Sequence, residues 1–365
     1  MPQCNILTNH ICVRLPGRYS PCCYWNKDYT QFADNPKKYF TTVDKSYTEY
    51  FNSELHQDVL QVMNTNGDWH AGCTKCKYLE DNGLPSLRTI GNEHSADHIV
   101  YLQISLSNHC NFACKTCDSR SSSTIMKMVN ANPELSKWFN TSNITKADVY
   151  KMFQDVDLSK LKVIEFLGGE PFVDPQTTVF LNFLLSQDAL SHVRFKVHTN
   201  SSFFPKKLVP ILSKMKKIDL HLSVDAWHPA VEYIRLGSNF NTIKQVTNKW
   251  IEFSKEYKNT EITLFPTISS LSIPFVKSTV VAAKELGILH DVEFVHKPDQ
   301  FQLGALPSKY VESIKDDYNS QYFNNYVYNE DYFKLLQAFV KDTDGAQSKF
   351  LKDYIPELDK YIKGE

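Results

Sequence analysis

The chain has 365 residues, 42 % of them hydrophobic, with 40 Lys and Arg against 41 Asp and Glu and a net charge of −1 at pH 7. So even a balance sets up no global field for nucleic acid, an anionic membrane surface or an acidic partner, and no apolar run reaches the roughly 18 residues of a membrane span. The opening MPQCNILTNHIC lacks the basic-then-apolar order of a secretory signal, which predicts a soluble, cytoplasmic protein; in that reducing compartment nine cysteines point to metal or redox chemistry rather than structural disulfides.

Residues 1–95 are irregular, rich in Asn, Asp, Tyr and turn formers, and read as a small module stapled by metal rather than by a broad core. HICVRLPGRYSPCCYW presents Cys12 and Cys22 across a Pro-Gly turn, as a short hairpin would. After about fifty residues GCTKCKYLEDNGLPSLR adds the C-x2-C pair Cys73 and Cys76. These four thiolates close around a metal with no open position, which suits electron transfer or structure; a structural zinc site of four cysteines satisfies the same spacing. Cys22 is preferred to Cys23 because it directly follows Pro21, with Cys23 as the alternative. Cys4 reads as a spare thiol, and His10 and His70 as ordinary polar residues.

From residue 98 the texture changes. Ile99–Leu106, Lys162–Leu167, Val193–His198, Ile218–Val224, Glu261–Thr267 and Asp291–Val295 read as six strands, separated by helical patterns such as Thr177–Leu185 and Thr242–Phe253. This alternation predicts an α/β fold of βαβ units around a parallel sheet, two repeats short of a closed eight-stranded barrel. From about Pro307 the chain is aromatic-rich and helical, and Tyr332, Leu335, Leu336 and Phe339 are spaced as one buried stripe. The domain boundaries expected are 1–95, 96–300 and 301–365.

Directly after the first of these strands, SNHCNFACKTCDSRSSS holds Cys110, Cys114 and Cys117 as C-x3-C-x2-C. A loop with this spacing wraps three thiolates around one face of a cubane and leaves one of four irons open, as catalytic metals require. The bland alternative is zinc with His109 or Asp118 as fourth ligand, or buried thiols. The second strand, KVIEFL, ends at Gly168, Gly169, Glu170 and Pro171, where an α/β sheet binds ligands and glycines admit a close backbone approach.

With these motifs, residues 98 to 297 resemble the radical S-adenosylmethionine superfamily, a partial (β/α)6, TIM-like barrel. The resemblance implies a 4Fe-4S cluster on Cys110, Cys114 and Cys117 whose open iron is chelated by the methionine moiety of S-adenosylmethionine, with Gly168, Gly169 and Glu170 at its amino group and Pro171 closing the motif. It implies reductive cleavage to methionine and a 5′-deoxyadenosyl radical that abstracts hydrogen from a substrate. It also places Asn200, Ser223 and Asp225 at ribose-contact positions and Arg235 where an arginine pairs with the ligand carboxylate; the alternative for each is a surface or capping role. Thr116 stands where many members carry an aromatic residue near the adenine, and Phe112 is a candidate substitute.

The N-terminal pattern, from Cys12 to Arg88 with Glu80, Gly83 and Ser86, resembles a twitch domain, a shortened SPASM module. That implies a second 4Fe-4S, auxiliary cluster on Cys12, Cys22, Cys73 and Cys76. Relatives with such modules act on peptides or proteins, carbohydrates or nucleotide-derived molecules; a peptide or protein is the first choice, with a flavodoxin- or ferredoxin-like electron donor and the C-terminal helices covering the substrate end. The rival classes are an iron-sulfur electron carrier or zinc-stabilised binding protein on the same fold, and a methyltransferase-like radical enzyme.

Overall fold

The structure is a computed structural model in which residues 3–14, 17–25, 45–92, 98–139 and 148–364 are described; Pro16 of the Pro-Gly turn and residues 26–44 of the N-terminal region lie outside them. In chain order the strands are β1 His10–Arg14, β2 Arg18–Ser20, β3 Tyr101–Ser105, β4 Ala113–Cys114, β5 Val163–Leu167 and β6 Arg194–Thr199. They continue as β7 Lys217–Leu222, β8 Arg235–Leu236, β9 Thr260–Leu264, β10 Thr267–Ile268, β11 Leu289–His290 and β12 Glu293–Phe294. The chain divides into two compact units, and it passes from one to the other within β6 and β7, among other places.

The first unit comprises residues 1–108, 143–197 and 207–218. Its strands run in the order β2, β1, β3, β5, β6. The expected hairpin is there, β1 antiparallel to β2 with Cys12 opposite Ser20. What the sequence did not disclose is that β1 also pairs parallel with β3, so the N-terminal segment extends the sheet. Strands β3, β5 and β6 are parallel neighbours. Alternation decides which face each side chain takes. Leu102, Ile104, Ile164, Phe166, Phe195 and Val197 are buried on one face, where Phe166 meets Phe180 of the helix Pro175–Ser186 at 5.5 Å. That helix starts where Asp174 caps it, accepting from the Gln176 amide, with Pro175 at the first turn. Gln103, Glu165 and Lys196 therefore occupy the opposite face. Beside the hairpin, the helix Glu54–Leu60 buries Leu55 and Val59 with Ile6, Leu7, Trp25 and Met63.

The second unit comprises residues 109–142, 198–206 and 219–365. It holds β7, β9 and β11 in that order, with β9 and β11 parallel. The helix Phe240–Tyr257 is amphipathic, burying Ile243, Val246, Trp250 and Phe253, capped by Asn239 at its start. Two short pairs complete the unit, β4 with β8 and β10 with β12. Of the strand expected over Asp291–Val295, β12 covers Glu293–Phe294, and the separate strand β11 precedes it at Leu289–His290. The C-terminal region is helical, with Glu330–Gln347 its longest helix. Its buried side is Leu336, Phe339, Val340, Thr343 and Asp344; Leu335, counted into the stripe from spacing, is exposed. Among the described residues, no helix is long and apolar enough to cross a membrane.

Candidate functional site

Cys110, Cys114 and Cys117 lie on one loop of the second unit, and no two of the nine cysteines form a disulfide. The loop is tied on several sides. Cys114 stands opposite Arg235 in the β4·β8 pair, and the Lys115 amide donates to the Ile234 carbonyl at 2.9 Å. The serine run that follows folds back beneath it: Ser122 Oγ donates to the Phe112 carbonyl at 2.5 Å and Thr124 Oγ1 to the Cys110 carbonyl at 2.7 Å. Ser122 also caps the helix Ser123–Ala131. Two donors reach the Cys110 sulfur, the Phe112 amide at 3.5 Å and Asn200 Nδ2 at 3.9 Å. Such donors favour a thiolate and tune any cluster it holds.

Burial pushes the Cys114 thiol well above its ordinary range and Cys117 up to about 12, and the Arg235 cation opposes both shifts. Metal binding would overcome that cost, since it takes the thiolate form. Asp118, one of the two candidate fourth ligands for zinc, is engaged by Arg120 Nε at 2.7 Å.

Asp225 and Arg235 meet each other. Arg235 Nε and Nη2 donate to the two carboxylate oxygens at 2.8 and 2.7 Å, a bidentate pair with Asp225 2 % exposed. Asp225 also accepts from the Thr267 amide at 2.9 Å. The guanidinium keeps Nη1 outside this pairing. Asn200 donates to Asn111 Oδ1 at 3.0 Å, and the Ser223 amide to the Thr199 carbonyl at 2.8 Å. Gly237, at φ +96°, lets the β8 turn approach this loop: a Cβ there would stand 3.1 Å from the Asn111 carbonyl oxygen. Phe112, suggested as an adenine platform, is 2 % exposed and packed beside Gly237.

Sequence reasoning passed over Lys115. It sits inside the cysteine motif, yet it is 1 % exposed. Its Nζ reaches Gln347 Oε1 at 2.8 Å, Thr343 Oγ1 at 3.4 Å and Asp344 Oδ1 at 3.5 Å, above the Tyr233 ring at 4.1 Å. Burial lowers its pKa to about 8 while Asp344 opposes the shift. Asp344 in turn accepts from Tyr233 OH at 2.8 Å and the Leu351 amide at 2.6 Å. The C-terminal helix thus holds the cysteine loop through one buried cation. A lysine between two motif cysteines followed by an apolar-poor stretch gave no signal of this.

In the first unit, the Gly168-Gly169-Glu170-Pro171 turn follows β5. Gly168 has φ +110°, a conformation side chains resist. The Gly169 amide donates to the Ser107 carbonyl at 3.3 Å, and Ser107 Oγ to Asp174 Oδ2 at 2.6 Å. Glu170, 2 % exposed, accepts from the Phe172 amide at 3.1 Å. A small pocket is lined by Ser107, Gly169, Glu170, Pro171 and Asp174.

The N-terminal thiols of the same unit group differently from their spacing. Cys4, Cys22, Cys73 and Cys76 line one pocket with Trp25, Met63, Trp69 and Arg88. Cys12 is not among them. It is held on β1, 1 % exposed, with its sulfur donating to Gln103 Oε1 at 3.3 Å. Cys4, read as spare, lines the pocket as well; it lies eight residues before Cys12, beyond the helix Ile6–Asn9. Of the adjacent pair, Cys22 lines the pocket. Burial pushes Cys4 up to about 11 and Cys73 to about 12, with Arg88 opposing both. Glu80, Ser86 and Arg88, named in the twitch-like stretch, come together: Glu80 Oε1 accepts from Ser86 Oγ at 2.5 Å and Arg88 Nε at 2.9 Å. His70 is a structural group, accepting from the Gly72 amide at 3.0 Å.

Residues 104–270 match the model of the radical SAM superfamily. That stretch contains the three motif cysteines, the Gly-Gly-Glu-Pro turn, Asn200, Ser223, Asp225 and Arg235. Solved structures similar to this chain include hexahistidine-tagged anSMEcpe with bound AdoMet, at 17 % identity over 69 % of this chain and 62 % of that one, TM-score 0.41. Streptococcus suis SuiB bound to S-adenosylmethionine aligns at 14 % identity over 83 % and 65 %, TM-score 0.41. The methyltransferase TsrM from Kitasatospora setae, with cobalamin and a [4Fe-4S] cluster, aligns at 10 % over 54 % and 34 %, TM-score 0.39. The chain thus spans 62 % of the first of these structures. No curated protein sequence matches it.

Proposed function

We propose that this chain, whose residues 104–270 form a radical SAM domain of α/β class and make it an enzyme of that kind, reductively cleaves S-adenosylmethionine and uses the radical on a peptide or protein substrate. A [4Fe-4S] cluster on Cys110, Cys114 and Cys117 would supply the electron that breaks the sulfur–carbon bond. The chain's residues prepare that event. The Phe112 amide and Asn200 hold the Cys110 sulfur as an acceptor, and Arg235 brings a fixed positive charge beside Cys114. With Nε and Nη2 on Asp225, Arg235 keeps Nη1 for a ligand carboxylate. Gly168, Gly169, Glu170 and Pro171 are assigned to the amino group of the methionine moiety, and Ser223 and Asp225 to the ribose.

The observation that carries the reading is the trio of thiols on one loop, where Asp118, one of the candidate fourth ligands, is engaged by Arg120. A loop so built offers three sulfurs and leaves a position open for substrate. An auxiliary cluster belongs to the same reading, held by Cys4, Cys22, Cys73 and Cys76 rather than by a set including Cys12. Four thiolates close a cluster completely, which suits passing an electron to or from the substrate radical. A flavodoxin- or ferredoxin-like protein would supply electrons.

The test is anaerobic reconstitution with iron and sulfide, then incubation with dithionite and S-adenosylmethionine. 5′-Deoxyadenosine forms in the wild type and not in Cys114→Ala; its absence from both favours an electron carrier. S-Adenosylhomocysteine as the main product would point instead to methyl transfer.

A further inference from the structure

Strands β1, β3, β5 and β6 carry one row of polar residues in register across the first unit: Cys12 beside Gln103, Gln103 beside Glu165, Glu165 beside Lys196. This row lies on the face turned away from the helix Pro175–Ser186. Burying polar side chains along a sheet is costly, and barrel interiors are ordinarily filled with branched apolar residues. Here the row is specifically arranged. Tyr101 OH and Gln103 Nε2 both donate to the same Glu165 oxygen, Oε2, each at 2.7 Å. Among the described residues Oε1 has no hydrogen-bond donor. Gln103 is itself held by the Cys12 thiol at 3.3 Å. The carboxylate is therefore fixed at one oxygen and presented at the other.

Lys196 makes the arrangement informative. It is the register neighbour of Glu165 on a strand that lies roughly 4.8 Å away, and opposite charges so placed ordinarily pair. These two do not pair within 4.0 Å. The ammonium stands near the Tyr101 ring, 5.9 Å from its centre, and has no carboxylate partner among the described residues. A carboxylate and an ammonium held side by side, each with a vacant hydrogen-bonding direction, complement a ligand that carries a donating nitrogen next to an accepting oxygen. Glu165 precedes Gly168 by three residues, roughly 10 Å of strand, so the row lies below the turn assigned to the methionine moiety.

We infer that Glu165 and Lys196 form a substrate-binding wall for an amino-acid unit, the carboxylate taking its ammonium or amide nitrogen and the lysine its carboxylate or carbonyl oxygen. Tyr101 and Gln103 are positioning residues. The inference deepens the proposed function, on which it rests for its meaning, and it names a feature the substrate must present.

The experiment uses the reconstituted holoenzyme with S-adenosylmethionine and no reductant, and glycylglycine as probe, with binding read by saturation-transfer NMR. Glycylglycine is expected to bind the wild type with a dissociation constant on the order of 1 mM. The neutral N-acetylglycinamide binds at least roughly tenfold more weakly, and Glu165→Gln and Lys196→Met each weaken glycylglycine by roughly tenfold or more, as loss of a charged partner does. Equal binding of the two probes to the wild type overturns the inference, and so does undiminished binding in both variants. Comparison of the probes on the wild type keeps the test valid if a variant loses its iron. 5′-Deoxyadenosine formation after adding dithionite, measured on the same samples, separates the two claims: if the wild type discriminates between probes without cleaving S-adenosylmethionine, the wall stands and the radical reading fails.

Discussion

Removing the Asp344 carboxylate should loosen the cysteine loop from a distance. Asp344→Ala leaves Tyr233 OH and the Leu351 amide without their acceptor, and the Lys115 ammonium, whose side chain is 0 % exposed, without its counter-ion, with Gln347 and Thr343 still accepting from it. Breaking a buried ion pair on one side costs about 3–5 kcal/mol. With an unfolding entropy of about 2.1 cal/mol/K per residue, a chain of 365 residues converts that into a Tm lower by roughly 4–7 °C. Lys115→Met is the milder change, because Asp344 then keeps two donors and the methionine stem fills the lysine's place beside Tyr233. The assay is thermal unfolding of the anaerobically loaded protein, with iron per chain and the electron paramagnetic resonance spectrum of the reduced protein on the same samples. Asp344→Ala should alter that spectrum or lose iron from the motif cysteines, since Lys115 follows Cys114 directly. A Tm within about 1 °C of wild type, or a larger loss from Lys115→Met than from Asp344→Ala, would refute the argument.

Gly237→Ala forces a side chain into a left-handed position 3.1 Å from the Asn111 carbonyl; a cost of about 1–2 kcal/mol is expected, together with weaker iron retention, checked by melting and iron analysis. Cys4→Ala should lose the auxiliary cluster, about four irons per chain, whereas Cys12→Ala should keep it; the opposite pattern restores the set suggested by spacing. His56 is buried, with Nε2 2.8 Å from the Leu7 carbonyl, and burial lowers its pKa from 6.5 to about 4. The folded value lies below the unfolded one, so the unfolded chain binds the extra proton between those pH values and stability falls as pH drops from 6.5 to 4, by about 3 kcal/mol. Urea unfolding of wild type and His56→Gln at pH 7 and pH 4.5 checks this; a parallel pH dependence in the two would sink it.

What could be read from the sequence was what neighbouring residues encode. The C-x3-C-x2-C and Gly-Gly-Glu-Pro motifs, the Pro-Gly hairpin and the six expected strands, the last of them in shortened form, depend on spacing and alternation over a few positions, and local chemistry fixes them. The chain was opaque where a partner is chosen by tertiary packing. Cys4 joins Cys73 and Cys76 because the helix Ile6–Asn9 and the Leu55, Val59 and Met63 core bring it back, and a lone cysteine ahead of a motif carries no mark of that return. Lys115 meets Asp344 across more than two hundred residues, and an exposed lysine would look the same in the sequence. The β1·β3 pairing belongs with these, and it has the widest consequence. By docking parallel to β3, β1 sets Cys12 beside Gln103, outside the lining of the pocket that Cys4, Cys22, Cys73 and Cys76 share. One strand pairing thus decides both which four cysteines share a pocket and how the Gln103 amide is held against Glu165, so a change in β1 should perturb the auxiliary site and the polar wall together.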